Sequence, residues 1–453
     1  MKLQFLGGTG TVTGSKYLIT YQDKKILVDC GLYQGVKNVR LRNWQQFPVN
    51  PAAITAIILT HAHLDHSGYI PALIKHGFSG PIYCTKATLA LCNILLPDSG
   101  FLQEEDARYA NKFKFSKHHP ALPLYTEAEA RDSLKSFVTK HYHTTFELVT
   151  GLQVSFNPVG HILGSSALLI KTKNCKILFS GDVGRSNDII MQAPEPIKEQ
   201  PDYVVVESTY GDRRHENSDP YQLLEAVINK TIKRGGIVLI PAFAVGRTQT
   251  VLYIIQQLKA KKAIPDIPVY LNSPMAISAT EVFCQHYKEH KLSKEECHLI
   301  DKGTHFIRTA EESIALNEKK FPAIIISASG MASGGRVLHH LKTLVSHHKN
   351  SVVFVGFQAP GTRGDAMTHG ATQIKIHGQY YPIKASVYHL DSLSAHGDYY
   401  EILHWLNQLT QPPKMTFVTH GEPVAADAMR LHIQDDLGWP VRVPDYLECV
   451  SLK

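Results

Sequence analysis

Hydrophobic runs separated by glycine- and aspartate-containing turns open the chain. Leu3–Leu6, Lys16–Tyr21 and Lys25–Asp29 read as the strands of a meander with Gly-rich turns. The buried-type run Ala53–Thr60 predicts a further strand, and the apolar spacing over Gly68–Lys75 predicts a short helix. That order puts His61 and His63 on a strand-to-helix loop and Asp65 and His66 at the helix start. A long helix is predicted from about Thr85 to Lys112, and strand texture returns at Lys171–Ser180 and Tyr203–Glu207.

From Asp219 the pattern changes to helices alternating with parallel-type strands. Ile237–Ile240 is followed by a Pro- and Gly-containing turn ending at Arg247, then by a helix with Val251, Ile254, Ile255 and Leu258 on one face. The unit recurs: Ala323–Ile326 precedes a Gly-rich turn ending at Arg336 and a helix aligning Val337, Leu341, Leu344 and Val345. This middle block reads as an α/β domain with its own sheet. Beyond about Pro382 the meander-and-helix texture resumes, with Met415–Val418 as a last buried strand before His420. The expected organisation is a first domain over 1–208, an inserted domain over 209–380, and completion of the first over 381–453.

Composition agrees with that division and narrows the class. A chain of 453 residues exceeds one compact core, and 43% hydrophobic residues without low-complexity tracts make it globular. No apolar run suits a signal peptide or a membrane span, so a cytoplasmic protein with no membrane partner is expected. The seven cysteines are scattered and include no C-x-x-C, which excludes a thiolate zinc site of that type and argues against a disulfide framework. A formal charge of +7 suits a polyanionic partner without requiring one.

The chemistry lies in His61-Ala-His63-Leu-Asp65-His66. Zinc takes neutral imidazole and carboxylate ligands, and a catalytic site leaves a position open for water. Four such side chains crowded after a core strand would cost hydration if unpaired. His161, in Gly160-His161-Ile-Leu-Gly164, and Asp182, in Gly181-Asp182-Val-Gly184, each follow a strand-like run within glycine-flanked turns.

In this order the motifs resemble the metallo-β-lactamase superfamily, with Asp29 in Leu27-Val-Asp29-Cys-Gly31 matching its first motif behind the ligands. Val206-Glu207-Ser-Thr-Tyr-Gly211, Ser394-Ala-His396-Gly-Asp398 and Val418-Thr-His420-Gly-Glu422 resemble motifs A, B and C of the β-CASP nucleases, and the likeness runs nearly end to end. It implies a four-layer αββα sandwich, of α/β class, carrying an inserted β-CASP domain. It also implies two Zn2+ per chain: His61, His63 and His161 on one, Asp65, His66 and His420 on the other, with Asp182 bridging. A metal-bridging hydroxide would then hydrolyse phosphodiester bonds of single-stranded RNA, leaving a 5′-phosphate and a 3′-hydroxyl. His396 is implied as general acid, Glu207 as its holder, and Asp65 as an additional guide for the nucleophile. Endonucleolytic action is favoured over 5′-to-3′ exonucleolytic action, and a homodimer is compatible with the family.

Glycine-rich turns that open helices present N–H groups to phosphate, so Arg247, Ser333, Gly334, Arg336 and Arg363 are candidates for RNA contact. Three other readings compete with this one: a DNA nuclease of the same family, disfavoured by His420 where the DNA branch commonly has valine; a small-molecule metallo-hydrolase, which needs no inserted domain; and a non-catalytic scaffold, which would lack ligands that are all present here.

Overall fold

Two seven-stranded sheets form the first part of the protein, in a computed structural model that describes residues 1–114, 116–216, 218–319, 321–359 and 361–453. One sheet runs in the order Cys449–Ser451, Lys2–Phe5, Tyr17–Tyr21, Lys24–Val28, Ala56–Ile58, Ile82–Thr85, Phe137–Lys140. The other runs Val441–Arg442, Met415–Val418, Tyr203–Val206, Lys176–Phe179, Ser166–Lys171, Leu152–Pro158, Phe146–Val149. Alternation along each strand turns one side chain in two towards the facing sheet. Phe5, Ile19, Ile26 and Val28 thereby share a core with Phe156, Ile170, Phe179 and Phe417. Each such side chain, fully buried, contributes roughly 1.5–3 kcal/mol.

Helices cover both outer faces. Lys86–Phe113, capped by the Thr85 hydroxyl accepting from the Thr88 N–H, lies against Ile82–Thr85 and Phe137–Lys140. Tyr399–Leu406 and Pro423–Leu437 pack Ile402, Leu406, Met429 and Ile433 onto Val204, Val206 and Val418. The layers are therefore αββα, as expected.

Local boundaries follow from a few residues. The stretch after the His cluster is two helical turns, Leu64–Ser67 and Ile70–Lys75, rather than one helix over Gly68–Lys75. Pro71 lacks an N–H and fits only the first turn of a helix, so a new one starts there. The expected strand Ala53–Thr60 narrows to Ala56–Ile58, because Asn50 caps a 3-10 turn over Pro51–Ala53.

The chain divides into one unit of Met1–Arg214 with His396–Lys453 and a second of His215–Ala395. The second unit carries a parallel six-stranded sheet in the order His305–Phe306, Val269–Leu271, Ala323–Ser327, Ile237–Pro241, Ser351–Val355, Ser386–Leu390. The two recurring strand–turn–helix segments sit side by side in it, Ile237 opposite Ala323. The return to the first unit comes later than the expected 380, and the strand Ser386–Leu390 is the reason: it pairs with Ser351–Val355 as an edge of this sheet. A local hydrophobic pattern does not say which sheet receives a strand. Among the described residues, no helix is long and apolar enough to cross a membrane.

Candidate metal centre

Parallel strands bring the polar residues together. Val28 pairs with Ile58, Phe179 with Val205 and Val206 with Val418, so neighbouring strands end level. Asp29, Thr60, Asp182, Glu207 and His420 follow within a few residues of those ends, where open parallel sheets place their ligands. Two of these positions are strained, with φ of 57° at Asp29 and 48° at His420. A non-glycine residue held there costs on the order of 1–3 kcal/mol and persists only where its surroundings over-determine it. Gly31 is needed for a different reason: a Cβ on it would stand 1.6 Å from the Asp65 carbonyl oxygen.

Hydrogen bonds at the back of each imidazole decide which nitrogen faces inward. Asp29 Oδ1 accepts from the Thr60 N–H at 2.7 Å, while its Oδ2 accepts from the Thr60 hydroxyl at 2.9 Å and meets His66 Nδ1 at 2.8 Å. Thr60 Oγ1 also meets His61 Nδ1 at 3.1 Å, and Thr209 Oγ1 meets His420 Nδ1 at 3.1 Å. The Nε2 atoms of His61, His66 and His420 are thereby turned to the centre.

Two groups of potential metal ligands result. His61 Nε2 and His161 Nε2 lie 3.2 and 3.1 Å from His63 Nδ1, and 3.4 and 3.5 Å from Asp182 Oδ2. The other oxygen, Asp182 Oδ1, is 3.1 Å from His66 Nε2. His66 Nε2 and His420 Nε2 lie 4.0 and 3.3 Å from Asp65 Oδ2. His61, His63, His161 and Asp182 form one group whose ligand atoms all lie within 4.8 Å of each other, and Asp65, His66 and His420 form a second.

Burial holds the rings of His61 and His63 down at about 3 and about 4 and pushes His161 well below its ordinary value. These rings are neutral at physiological pH, the form that donates a lone pair to a metal. Burial acts downward on His66 and His420 too, but carboxylates overturn it: Asp182 and Asp29 hold His66 well above its usual value, and Asp182 with Asp65 raises His420. Burial would raise Asp182, yet His420, His66 and His61 keep it well below the carboxylate range. His66 Nε2 and Asp182 Oδ1 are buried with no hydrogen-bond partner among the described residues, although they face each other. Buried polar atoms are rarely left so, and this pair, with three imidazole nitrogens converging beside it, fits divalent metal.

Alongside, Glu207 grips His396. His396 Nδ1 lies 3.1 Å from both carboxylate oxygens, which also accept from the Val183 N–H at 2.6 Å and the Thr209 N–H at 3.3 Å. Burial would lower the His396 ring, but the Glu207 charge outweighs it and raises the ring to about 9. The ring lies against that of His161, tilted by 50° with centroids 4.4 Å apart. His396 and Asp65 keep 17% and 19% of their side chains exposed, against 0–2% for His61, His161, Asp182 and His66. The open side of the centre therefore runs past those two residues.

The profile described as the metallo-beta-lactamase superfamily matches residues 9–209, the Beta-Casp domain matches 248–367, and a Zn-dependent metallo-hydrolase RNA specificity domain matches 380–444. A ribonuclease of Thermus thermophilus is 33% identical over 439 residues, 93% of each chain. The chain belongs to the β-CASP family of the metallo-β-lactamase superfamily. A transcription termination factor, FttA, of Methanosarcina mazei is 29% identical over 100% of this chain and 72% of its own. An RNase J-like protein of Methanocaldococcus jannaschii is 29% identical over 98% of this chain and 97% of its own. A solved structure from Enterococcus faecalis, of unknown function, shares the fold with a TM-score of 0.56 at 15% identity, covering 100% of this chain and 99% of that one.

The β-CASP unit uses the expected RNA-contacting arginines internally. Arg247 is 4% exposed and donates to the Leu393 carbonyl at 2.7 Å. Arg336 donates to Asn272 Oδ1 and to the Ile307 and Arg308 carbonyls. Arg363 donates to the Lys375, Ala332 and Ser333 carbonyls. Each ties separate stretches of main chain together through those acceptors. Ser333 is exposed, and a Cβ on Gly334 would meet nothing within 4 Å, so that turn alone presents an open face. Sequence reading missed Thr60 and Thr209, which set the imidazole orientations. Their adjacency to His61 and Glu207 was the available signal.

Proposed function

We propose that this β-CASP protein is a two-zinc ribonuclease that hydrolyses phosphodiester bonds of single-stranded RNA, endonucleolytically, leaving 5′-phosphate and 3′-hydroxyl ends. The observation that carries the reading is Asp182, whose two oxygens face separate ligand sets, with the Glu207–His396 pair at the open side. His61, His63 and His161 would hold one zinc, Asp65, His66 and His420 the other, and Asp182 both. Zinc bound there supplies Lewis-acid charge to the phosphate and activates water near neutral pH.

The protein's own groups do the rest. Glu207 fixes His396 through Nδ1, so Nε2 is the atom that passes a proton to the departing 3′ oxygen. Asp65 faces His420 through Oδ2, leaving its other oxygen to orient the incoming water. Ser333 and Gly334 offer a phosphate contact on the inserted domain. The relatives named ribonuclease and RNase J-like, and the profile named for RNA specificity, favour RNA over DNA.

The test combines metal analysis with parallel digestion of end-labelled single-stranded RNA, matching DNA and circular RNA. About two zinc per chain, faster cleavage of RNA and opening of the circle support the reading. Preference for DNA, or well under two zinc per chain, overturns it.

A further inference from the structure

Lys16 carries a positive charge into the core of the first unit. It follows the Gly-rich loop of residues 7–14, just before the strand Tyr17–Tyr21, and is 2% exposed. Burial lowers its ammonium only to about 8, so it stays charged at neutral pH. Among the described residues it meets the Gly14 carbonyl at 3.4 Å and the ring faces of Tyr33 and Tyr69 at 4.2 and 5.1 Å, and it pairs with no carboxylate. An ammonium taken out of water without a counter-charge opposes folding, and ring faces restore only part of what hydration gave. A methionine of similar length would pack there without that cost. Stability therefore does not explain the charge.

Its three contacts lie on three stretches of chain, and each stretch is tied to the main chain of the second ligand group. In the loop, the Gly8 carbonyl accepts from the His420 N–H at 2.6 Å, and just after it the Ser15 N–H donates to the Asp65 carbonyl at 2.9 Å. On the stretch that follows Val28, the Cys30 N–H donates to the His66 carbonyl at 2.6 Å and the Leu32 N–H to the Leu64 carbonyl at 2.8 Å. Tyr69 comes shortly after His66, and its N–H donates to the Cys30 carbonyl at 2.9 Å. Tyr33 joins the first two stretches: its hydroxyl donates to the Leu6 carbonyl at 2.8 Å, and a Cβ on Gly14 would stand 2.4 Å from its ring.

His420 needs such a hold, because its left-handed backbone persists only where its surroundings fix it. The first group is held by other means. The His161 N–H donates to Ser165 Oγ at 3.0 Å, and His61 Nδ1 meets Thr60 Oγ1.

We propose that Lys16 is a positioning residue for Asp65, His66 and His420: its ammonium gathers the Gly14 carbonyl and the rings of Tyr33 and Tyr69 around one point and so fixes the three stretches that hold those ligands. This rests on the two-zinc reading for what the ligands bind. A carbonyl oxygen and two ring faces all present negative charge to a cation, so one ammonium orders three groups that would not otherwise attract one another. A neutral side chain of equal length fills the space and gives up the ordering.

Lys16→Met separates this role from a structural one, because its two effects have opposite signs. At pH 7 the metal-free variant resists chemical denaturation at least as well as wild type, since the buried charge is gone. Zinc titration against a chromogenic chelator shows one of the two zinc ions bound about 10-fold more weakly, the lower end of what losing a supporting group does, and the other unchanged. In a His420→Ala background, where the first group alone is complete, Lys16→Met leaves zinc affinity as it was. In the metal-free proteins, hydrogen–deuterium exchange quickens across residues 7–15 and 64–69 and keeps the wild-type rate across 161–171.

Both zinc affinities within about twofold of wild type, or unchanged exchange across 7–15 and 64–69, overturn the proposal. So does a variant less stable than wild type that loses both zinc ions together, which makes Lys16 a structural residue. A wild type that binds fewer than two zinc ions overturns the two-zinc reading alone, and the exchange rates, measured without metal, then decide the positioning role.

Discussion

Asp29→Asn isolates the hydrogen bond that sets the His66 tautomer. Asparagine tolerates the left-handed backbone at this position, so the φ of 57° is kept. Its amide can be placed one way only. The carbonyl oxygen must take the Oδ1 position, because an amide NH2 there would meet the Thr60 N–H, donor against donor, at 2.7 Å. The NH2 group then occupies the Oδ2 position, 2.8 Å from His66 Nδ1, and donates to it. The imidazole proton moves to Nε2, the atom that faces Asp182 at 3.1 Å, where it blocks coordination. Losing a partner of this kind weakens metal binding by ~10–100-fold, about 1.4–2.7 kcal/mol. Zinc affinity measured by competition with a chromogenic chelator should show that loss, while the metal-free protein keeps its fold by circular dichroism. Zinc affinity equal to wild type would refute the tautomer argument.

Three other outcomes are expected. Asp182→Asn should lose metal and cleavage together, read by metal analysis and by digestion of labelled RNA; retention of both zinc ions would sink the bridging role. His396→Ala should keep its metal but cleave RNA roughly 10²–10⁴-fold more slowly, and unchanged turnover would remove it from the mechanism. Lys16, fully buried over the rings of Tyr33 and Tyr69, has its ammonium lowered by burial to about 8 from an ordinary 10.5. Between those values the unfolded chain binds the proton and the folded one does not, so stability rises with pH. Below about 8 both states are protonated and the full penalty, on the order of 3 kcal/mol, is present. Chemical denaturation of wild type and Lys16→Met from pH 7 to 10 should show this rise in wild type only; parallel curves would place the charge in water.

The two-domain texture was readable because each pattern is local: the continuous apolar run at Ile26–Val28 and helical spacing at Val251–Leu258 depend on neighbours a few residues apart. The two recurring strand–turn–helix segments were visible for the same reason, and they pair in the second unit's sheet. Ser386–Leu390 was misassigned because membership of a sheet depends on hydrogen bonds to Ser351–Val355, and no local pattern carries that. Among the candidate RNA contacts, the glycine-flanked arginines looked available because a sequence shows which donors exist and not where they are used. Arg247, Arg336 and Arg363 all give theirs to carbonyls.

By itself the sequence determined the chemistry available: imidazoles and carboxylates in glycine-flanked turns at strand ends, in an order specific enough to name a family. Only the tertiary structure decided what those groups face. Parallel strands ending level bring His420 to Asp65, and a short antiparallel bridge to Gly184 sets His396 beside Glu207, contacts between residues far apart in sequence. The hydroxyls of Thr60 and Thr209 and the Asp29 carboxylate then select the inward nitrogens. Residue type sets which interactions can form; packing sets which atoms come within reach, because hydrogen bonds and ion pairs fall off over a few ångströms.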